Sequence, residues 1–178
     1  MSLEQEGRRF VSRWLRAGMV DAVVDRLSQF PLLAGLTARE IEIFASYLEP
    51  REIPAGINLF LAGDKGVTLF LLESGTVDVL KVLPGGTEQR LTTLTDRGFL
   101  GEIALLSDVT RTATARSTSP CHMWLLYRDD FQRLCQGVPE IGVKILWALA
   151  AEMGLRLART NEMVGHLLMD NRSAARSG

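Results

Sequence analysis

The chain has 178 residues, of which 47% are hydrophobic and 23% are charged, so it can bury a substantial core and is not an intrinsically disordered chain. Twenty basic and 21 acidic side chains leave a formal net charge of −1, so no global charge excess favours nucleic acid or an anionic membrane. No apolar run reaches the ~18 residues of a membrane span, and the two cysteines, Cys121 and Cys135, stand outside any paired spacing, so we expect a reducing, cytoplasmic location without membrane association.

Two helices are predicted in an N-terminal helical segment, residues 1–50. Apolar residues at helical spacing predict the first over roughly residues 6–29, and four arginines give its first half a basic face. This helix packs on the body of the protein or, alternatively, docks on a partner or a membrane surface. Pro31 ends it. Thr37 and Glu40 have the spacing of a capping box, which predicts a second helix from Thr37 to about Leu48, ending before Pro50.

Between residues 51 and 127 the pattern changes to short apolar runs separated by turn residues. Their even spacing and glycine-bearing turns predict an antiparallel sandwich or barrel. Pro84, Gly85 and Gly86 form a hairpin loop between two of the runs. The predicted strands are 58–62, 67–73, 76–83, 90–94, 112–116 and 123–127.

Helical periodicity returns in residues 128–170, with a short helix over 129–136 and a long one over 140–169. A small polar tail, 171–178, follows. The long helix carries apolar residues at alternating spacings of four and three, the pattern of a two-stranded coiled coil. We therefore expect a homodimer through this helix; the alternative is a helix laid on its own barrel, which would show a wider apolar face. Separately, we expect Trp147 to pack on the barrel. The residues of this seam are Leu146, Ala150, Met153, Leu157, Thr160, Val164 and Leu167.

The stretch 98–115 carries the most chemical information. Gly101 permits close backbone approach, and residues 102–106 can form one helical turn whose free amides at 103 and 104 face an anion. Arg111 could hold the same anion through its guanidinium fork, and Thr112 adds a hydroxyl. Because a carboxylate repels phosphate, a sugar hydroxyl is the natural partner of Glu102. The pattern describes a nucleotide whose phosphate and ribose hydroxyl lie close together.

Gly-Glu-Ile-Ala-Leu-Leu followed by Arg-Thr-Ala-Thr resembles the phosphate-binding cassette of the cyclic nucleotide-binding domain family, and glycine turns at 55–56, 63–64 and 73–75 extend the similarity. Within the family, the chain looks most like the effector domain of bacterial catabolite activator-type proteins, without their helix-turn-helix module. The resemblance implies a mainly β, α+β fold: an antiparallel double-stranded β-helix, or jelly-roll barrel, with N-terminal helices and a long C-terminal helix. In one departure, Arg97-Gly98 stand where the family often has Gly-Asp.

The resemblance also implies roles for single residues. Glu102 would bind the ribose 2′-hydroxyl, while the amides of Ile103 and Ala104, with Arg111 and Thr112, would hold the cyclic phosphate. Further residues would line the purine side of the pocket or lie near the purine and the subunit interface. These are Val79, Leu91, Thr92, Arg156, Thr160 and Asn161.

We therefore expect a cyclic nucleotide sensor for cAMP first and cGMP second, since Thr112 could also donate to guanine. Ligand binding would shift the long helix and signal to an unidentified protein partner. The chain shows no catalytic motif, and two isolated histidines cannot supply a metal cluster, so we expect neither an enzyme nor a cofactor.

Other interpretations stay open. A helix-turn-helix module needs roughly 50 further residues, so we expect no DNA binding by this chain, which could be the effector half of a truncated transcription regulator. Glu102 and Arg111 could instead form a structural salt bridge in a degenerate barrel that acts as a dimeric interaction adaptor.

Overall fold

The computed structural model of the chain describes residues 17–176, and the side chains of residues 19–165. Two N-terminal helices, α1 (Ala17–Ser28) and α2 (Ala38–Ala45), flank a 3-10 turn at Pro31–Leu33. Eight strands follow, with the short helix α3 (Glu102–Leu106) inserted between the sixth and the seventh. The strands are β1 (Glu49–Ile53), β2 (Asn58–Phe60), β3 (Thr68–Ser74), β4 (Val77–Val82), β5 (Glu88–Leu94), β6 (Phe99–Leu100), β7 (Thr114–Ser117) and β8 (Cys121–Tyr127). Two helices, α4 (Arg128–Gly137) and α5 (Pro139–Arg176), complete the chain.

The strands form two four-stranded sheets, in the orders β1-β8-β3-β6 and β2-β7-β4-β5, with antiparallel pairing throughout. One apolar cluster lies between the two sheets, and a second joins the β3–β8 side to the flanking helices. This arrangement confirms the predicted antiparallel jelly-roll fold with flanking helices. Among the described helices, none has both the length and the apolarity that a membrane crossing requires.

The N-terminal boundaries differ from the prediction. The part of the first predicted helix before Ala17 lies outside the described residues. The capping box is confirmed: the Thr37 hydroxyl accepts from the Glu40 amide at 3.3 Å, and the Glu40 carboxylate accepts from the Thr37 amide at 2.7 Å. However, α2 ends at Ala45, and the strand β1 begins only four residues later.

Two strands were missing from the prediction, β1 and β6. The sequence predicted a helix end before Pro50 and no strand there, but within the described residues β1 pairs with β8 alone and is an edge strand. An edge strand tolerates proline because one side of its backbone has no partner strand to receive an amide hydrogen bond. β6 has two residues, too few to show an alternating pattern.

The long helix α5 packs on the body through its first turns. Ile141, Ile145 and Leu149 are buried, and their spacing of four places them on one face. Trp147 lies about 200° around the helix from Ile145 and is 79% exposed, so the expectation that it packs on the barrel was wrong. The helix also continues to Arg176, through most of the segment predicted as a tail.

Candidate functional site

The helix α3 is preceded by a glycine in the left-handed conformation. Gly101 has φ +88°, and a Cβ atom built on it would lie 2.6 Å from both Nη1 of Arg111 and the carbonyl oxygen of Thr68. Glycine therefore satisfies both the backbone angle and the close approach. The turn places Glu102 at the start of α3 with its side chain buried in the body of the protein.

Arg111 is buried beside this turn, with 8% of its surface exposed. Its Nη2 donates to the carbonyl of Thr68 at 2.9 Å, and its guanidinium carbon lies 4.0 Å from the ring centroid of Phe60. A second glycine faces it, since a Cβ atom on Gly66 would lie 2.5 Å from Nε of Arg111. The two glycines and the ring fix the guanidinium beside α3.

The carboxylate of Glu102 forms a salt bridge with Arg156, a residue of α5. Nη1 of Arg156 donates to Oε1 of Glu102 at 3.1 Å, and Nη2 donates to the carbonyl of Phe99 at 3.1 Å. The guanidinium also lies 4.7 Å from the ring centroid of Phe99, while Nε bonds Glu152 at 3.1 Å. The acidic residue of the motif is therefore joined directly to the C-terminal helix.

Glu102, Arg111 and Arg156 line one cavity of about 170 Å³. The predicted site residues that line it come from the motif, from two strands and from α5. They are Gly101, Glu102, Ile103, Ala104, Arg111, Thr112, Val79, Thr92 and Arg156. Within the described part of the chain, no three His, Cys, Asp or Glu side chains group as they would around a metal ion.

The sequence profile of the family described as Cyclic nucleotide-binding domain matches residues 50–137, which contain the whole motif. The chain belongs to the cyclic nucleotide-binding domain family. A cyclic AMP receptor protein of Thermus thermophilus is 31% identical over 123 residues, which are 69% of this chain and 57% of that protein. A cAMP-dependent protein kinase regulatory subunit of Neurospora crassa is 34% identical over 115 residues, 65% of this chain and 29% of that protein.

The chain thus spans little more than half of the first of these relatives and less than a third of the second. Among solved structures, the Thermus thermophilus catabolite activator protein superposes with a TM-score of 0.70 at 31% identity, covering 77% of this chain and 62% of that one. A cyclic nucleotide-binding domain from Methylobacillus flagellatus superposes with a TM-score of 0.72, covering 82% of both chains. At 22% identity, this second likeness concerns the fold alone.

Three of the residues predicted to contact the ligand do not line the cavity. Leu91 is 55% exposed and lies at a bulge, because Val79 pairs with Thr92 whereas the next residue of β4 pairs with Arg90. Thr160 and Asn161 are exposed on α5, where the Thr160 hydroxyl donates to the carbonyl of Arg156 at 2.9 Å. Their roles toward a ligand stay predictions.

The amides of α3 differ in one respect from the expectation. The amide of Ala104 donates to the carbonyl of Gly101 at 3.1 Å, a tight turn of the kind that often begins a short helix. A phosphate at this place would share or replace that bond. The anion contact of the Ile103 amide stays a prediction.

The sequence reasoning missed several residues of the cavity and its support. The ring of Phe60 packs against the Arg111 guanidinium, and the backbone of Gly66 contacts the guanidinium from another segment. A glycine just before a strand was the available signal for Gly66, but its partner lies 45 residues away. The other lining residues that were missed are Leu100, Val109, Thr110 and Ala113.

Proposed function

We propose that this domain binds a cyclic nucleotide, cAMP first and cGMP second, and that it is a sensor rather than an enzyme. The observation that carries the proposal is the convergence of Glu102 and Arg111 on one cavity. One supplies a carboxylate for a sugar hydroxyl, and the other supplies a buried cation for a phosphate. The two relatives, a cyclic AMP receptor protein and a cAMP-dependent protein kinase regulatory subunit, support cAMP as the first ligand.

The proposed binding mode uses charge and hydrogen bonding without bond making. The cyclic phosphate carries a negative charge and lies between Arg111 and the amide of Ile103, with the Thr112 hydroxyl as a further donor. The ribose 2′-hydroxyl donates to Glu102. A linear nucleotide binds more weakly because its phosphate and 2′-hydroxyl are not held at the short separation that these groups require.

Transmission of the signal follows from the bridge between Glu102 and Arg156. A ribose hydroxyl that donates to Glu102 either displaces the guanidinium of Arg156 or becomes a second partner of the Glu102 carboxylate. The ligand therefore has different contacts with different positions of α5, which is the condition for shifting the population between them. In this proposal, α5 moves relative to the barrel and passes the signal to a protein partner.

The same helix forms the proposed dimer interface. Three seam residues, Leu146, Leu157 and Val164, are 38%, 61% and 47% exposed in the single chain. These apolar side chains repeat along the helix at coiled-coil spacing, so pairing two copies would remove them from water.

Calorimetric titration with cAMP, cGMP and 5′-AMP tests the proposed function. Nucleotide is first removed by denaturation and refolding, and its absence is checked by absorbance. We expect micromolar binding of cAMP, weaker binding of cGMP and much weaker binding of 5′-AMP. Equal binding of 5′-AMP would contradict the role of the cyclic phosphate, and no heat with any of the three would favour an adaptor barrel without a ligand.

A further inference from the structure

Arg128 lies outside the cavity but contacts the segments that form it. It is the first residue of α4, directly after β8, and 15% of its side chain is exposed. Its Nε donates to the carbonyl of Ala104 at 2.7 Å, and its Nη2 donates to the carbonyls of Ser107 at 2.5 Å and Gly66 at 3.1 Å. Nη2 also bonds the carbonyl of Ala104, and Nη1 forms a salt bridge with Asp108.

The first consequence concerns α3. Ala104 lies in α3, and Ser107 directly follows its last residue. Carbonyl groups at a helix end lack partners within the helix, and a cation there meets the negative end of the helix dipole. Arg128 thus holds α3 from the end opposite to Gly101 and Glu102. Any displacement of that end would move the carboxylate and the amides proposed to meet the ligand.

The second consequence concerns Arg111. The Gly66 backbone approaches Arg111 so closely that a Cβ atom would not fit between them. Arg128 bonds the carbonyl of this glycine, and its own amide donates to the carbonyl of Val67 at 2.8 Å. The residue therefore supports both sides of the proposed phosphate site, namely α3 and the segment behind Arg111.

We propose that Arg128 is a positioning residue for ligand binding, which sets α3 and Gly66 relative to each other and couples both to α4. The proposal rests on the proposed function, because it assigns Arg128 a part in that same site. A motion of α3 on ligand binding would pull on the first residue of α4, and α5 follows α4 after Val138. This gives the cavity a second connection to the C-terminal helices, besides the bridge from Glu102 to Arg156.

The planar fork is essential to this role, since three carbonyls and a carboxylate approach one guanidinium from different segments. Lysine keeps the charge but replaces the fork with a single ammonium group. Arg128→Lys should therefore keep the fold and lose part of the positioning. Arg133→Gln is a matched control, because Arg133 lies on the same helix, is 69% exposed and pairs with Asp130 one turn away.

The test combines cAMP affinity with amide hydrogen exchange in wild type, Arg128→Gln, Arg128→Lys and Arg133→Gln. We expect Arg128→Gln to weaken cAMP binding about 2- to 30-fold, with Arg128→Lys between it and wild type. Without ligand, exchange over residues 102–106 should be faster in Arg128→Gln. In wild type, we expect saturating cAMP to change the rate of hydrogen exchange over residues 128–137. In Arg128→Gln, this change should be smaller.

Two results separate the possible failures. If wild type binds cAMP and Arg128→Gln matches it in affinity and in exchange at α3 and α4, the role of Arg128 is overturned while the proposed function stands. If wild type binds no cyclic nucleotide, the proposed function is overturned and this role with it. Thermal melting shows whether Arg128→Gln is folded; if it is not, the same comparison with folded Arg128→Lys decides.

Discussion

At the scale of single residues, the two arginines of the cavity differ in how firmly they are held. Arg111 lies between two glycines and over an aromatic ring, and it is buried. Arg156 is 36% exposed in its side chain and belongs to a helix whose next described side chains, residues 157–165, are exposed or half-buried. The first is suited to hold a fixed anion, and the second is suited to change partners.

We expect Arg156→Met to reduce the response of α5 to cAMP strongly while lowering the cAMP affinity only slightly. Partly exposed ion pairs contribute about 0.2–1 kcal/mol, so the cAMP affinity should stay within about tenfold of wild type. The change in hydrogen exchange that cAMP causes over residues 150–160 should become smaller. Arg159→Met, exposed on the same helix, is the control; an unchanged response in Arg156→Met would contradict the proposed route.

At the scale of elements, the edge strand β1 shows where the sequence is insufficient. Because β1 is short and contains a proline, its sequence does not predict a strand. Its pairing with β8 in the structure identifies it as one. The strand also buries Glu49, which forms a salt bridge with Arg51. Burial raises the pKa of Glu49 more than the charge of Arg51 lowers it. Its neighbour Tyr127 is affected in the same sense, since burial, with the nearby charge of Glu49, raises its pKa to about 12.

The raised pKa of Glu49 predicts a pH dependence of stability. As pH rises above the ordinary carboxyl range, the unfolded chain releases this proton before the folded chain does. The folded state then binds more protons, so the contribution of Glu49 to the free energy of unfolding falls with rising pH. Relative to wild type, Glu49→Gln should therefore be more stable at pH 7 than at pH 4.

Urea unfolding at a series of pH values between 4 and 7 measures this difference. Glu52→Gln on the same strand is the control, since the Glu52 side chain is 85% exposed. The prediction concerns the change with pH, so a constant offset from loss of the Arg51 salt bridge does not affect it. A Glu49→Gln curve parallel to that of wild type would show that the carboxyl does not contribute as described.

At the scale of the whole molecule, α5 carries apolar side chains that a single chain does not bury. Its 38 residues extend for about 57 Å, and among its described side chains, up to residue 165, the buried apolar ones lie in its first turns. Sequence periodicity predicted the apolar seam but did not show which face packs inward. The residues Ile141, Ile145 and Leu149 take that face, which leaves the seam residues between 146 and 164 exposed or half-buried. The seam residue Leu167 lies outside the side chains that the structure describes.

We expect Leu157→Glu to convert a dimer to a monomer in sedimentation velocity experiments, since it would place two carboxylates in an apolar interface. Leu155→Glu is the control, because Leu155 is 54% exposed and lies about 200° around the helix from Leu157. A dimer that persists in Leu157→Glu and dissociates in Leu155→Glu would place the interface on the other face of α5.

The fold and much of the candidate site could be predicted because their signals are local. Turn glycines delimit most strands, and Glu102 and Arg111 belong to one short motif whose spacing already suggests a shared anion. Contacts between distant segments could not be predicted in this way. The bridge from Glu102 to Arg156 spans 54 residues, and the support of Arg111 by Gly66 depends on how two loops meet.

The measurement that tests the central claim most directly is calorimetric titration of cAMP into nucleotide-free wild type, Arg111→Ala and Arg116→Ala. Arg116 is the control because it lies on β7 and pairs with Glu88 away from the cavity. Loss of one partner of a buried charge pair costs roughly 2–5 kcal/mol, so Arg111→Ala should bind about 30- to 3,000-fold more weakly than wild type, with Arg116→Ala unchanged. Equal affinity in wild type and Arg111→Ala, or no binding by wild type, would contradict the assignment of this cavity as a cyclic nucleotide site.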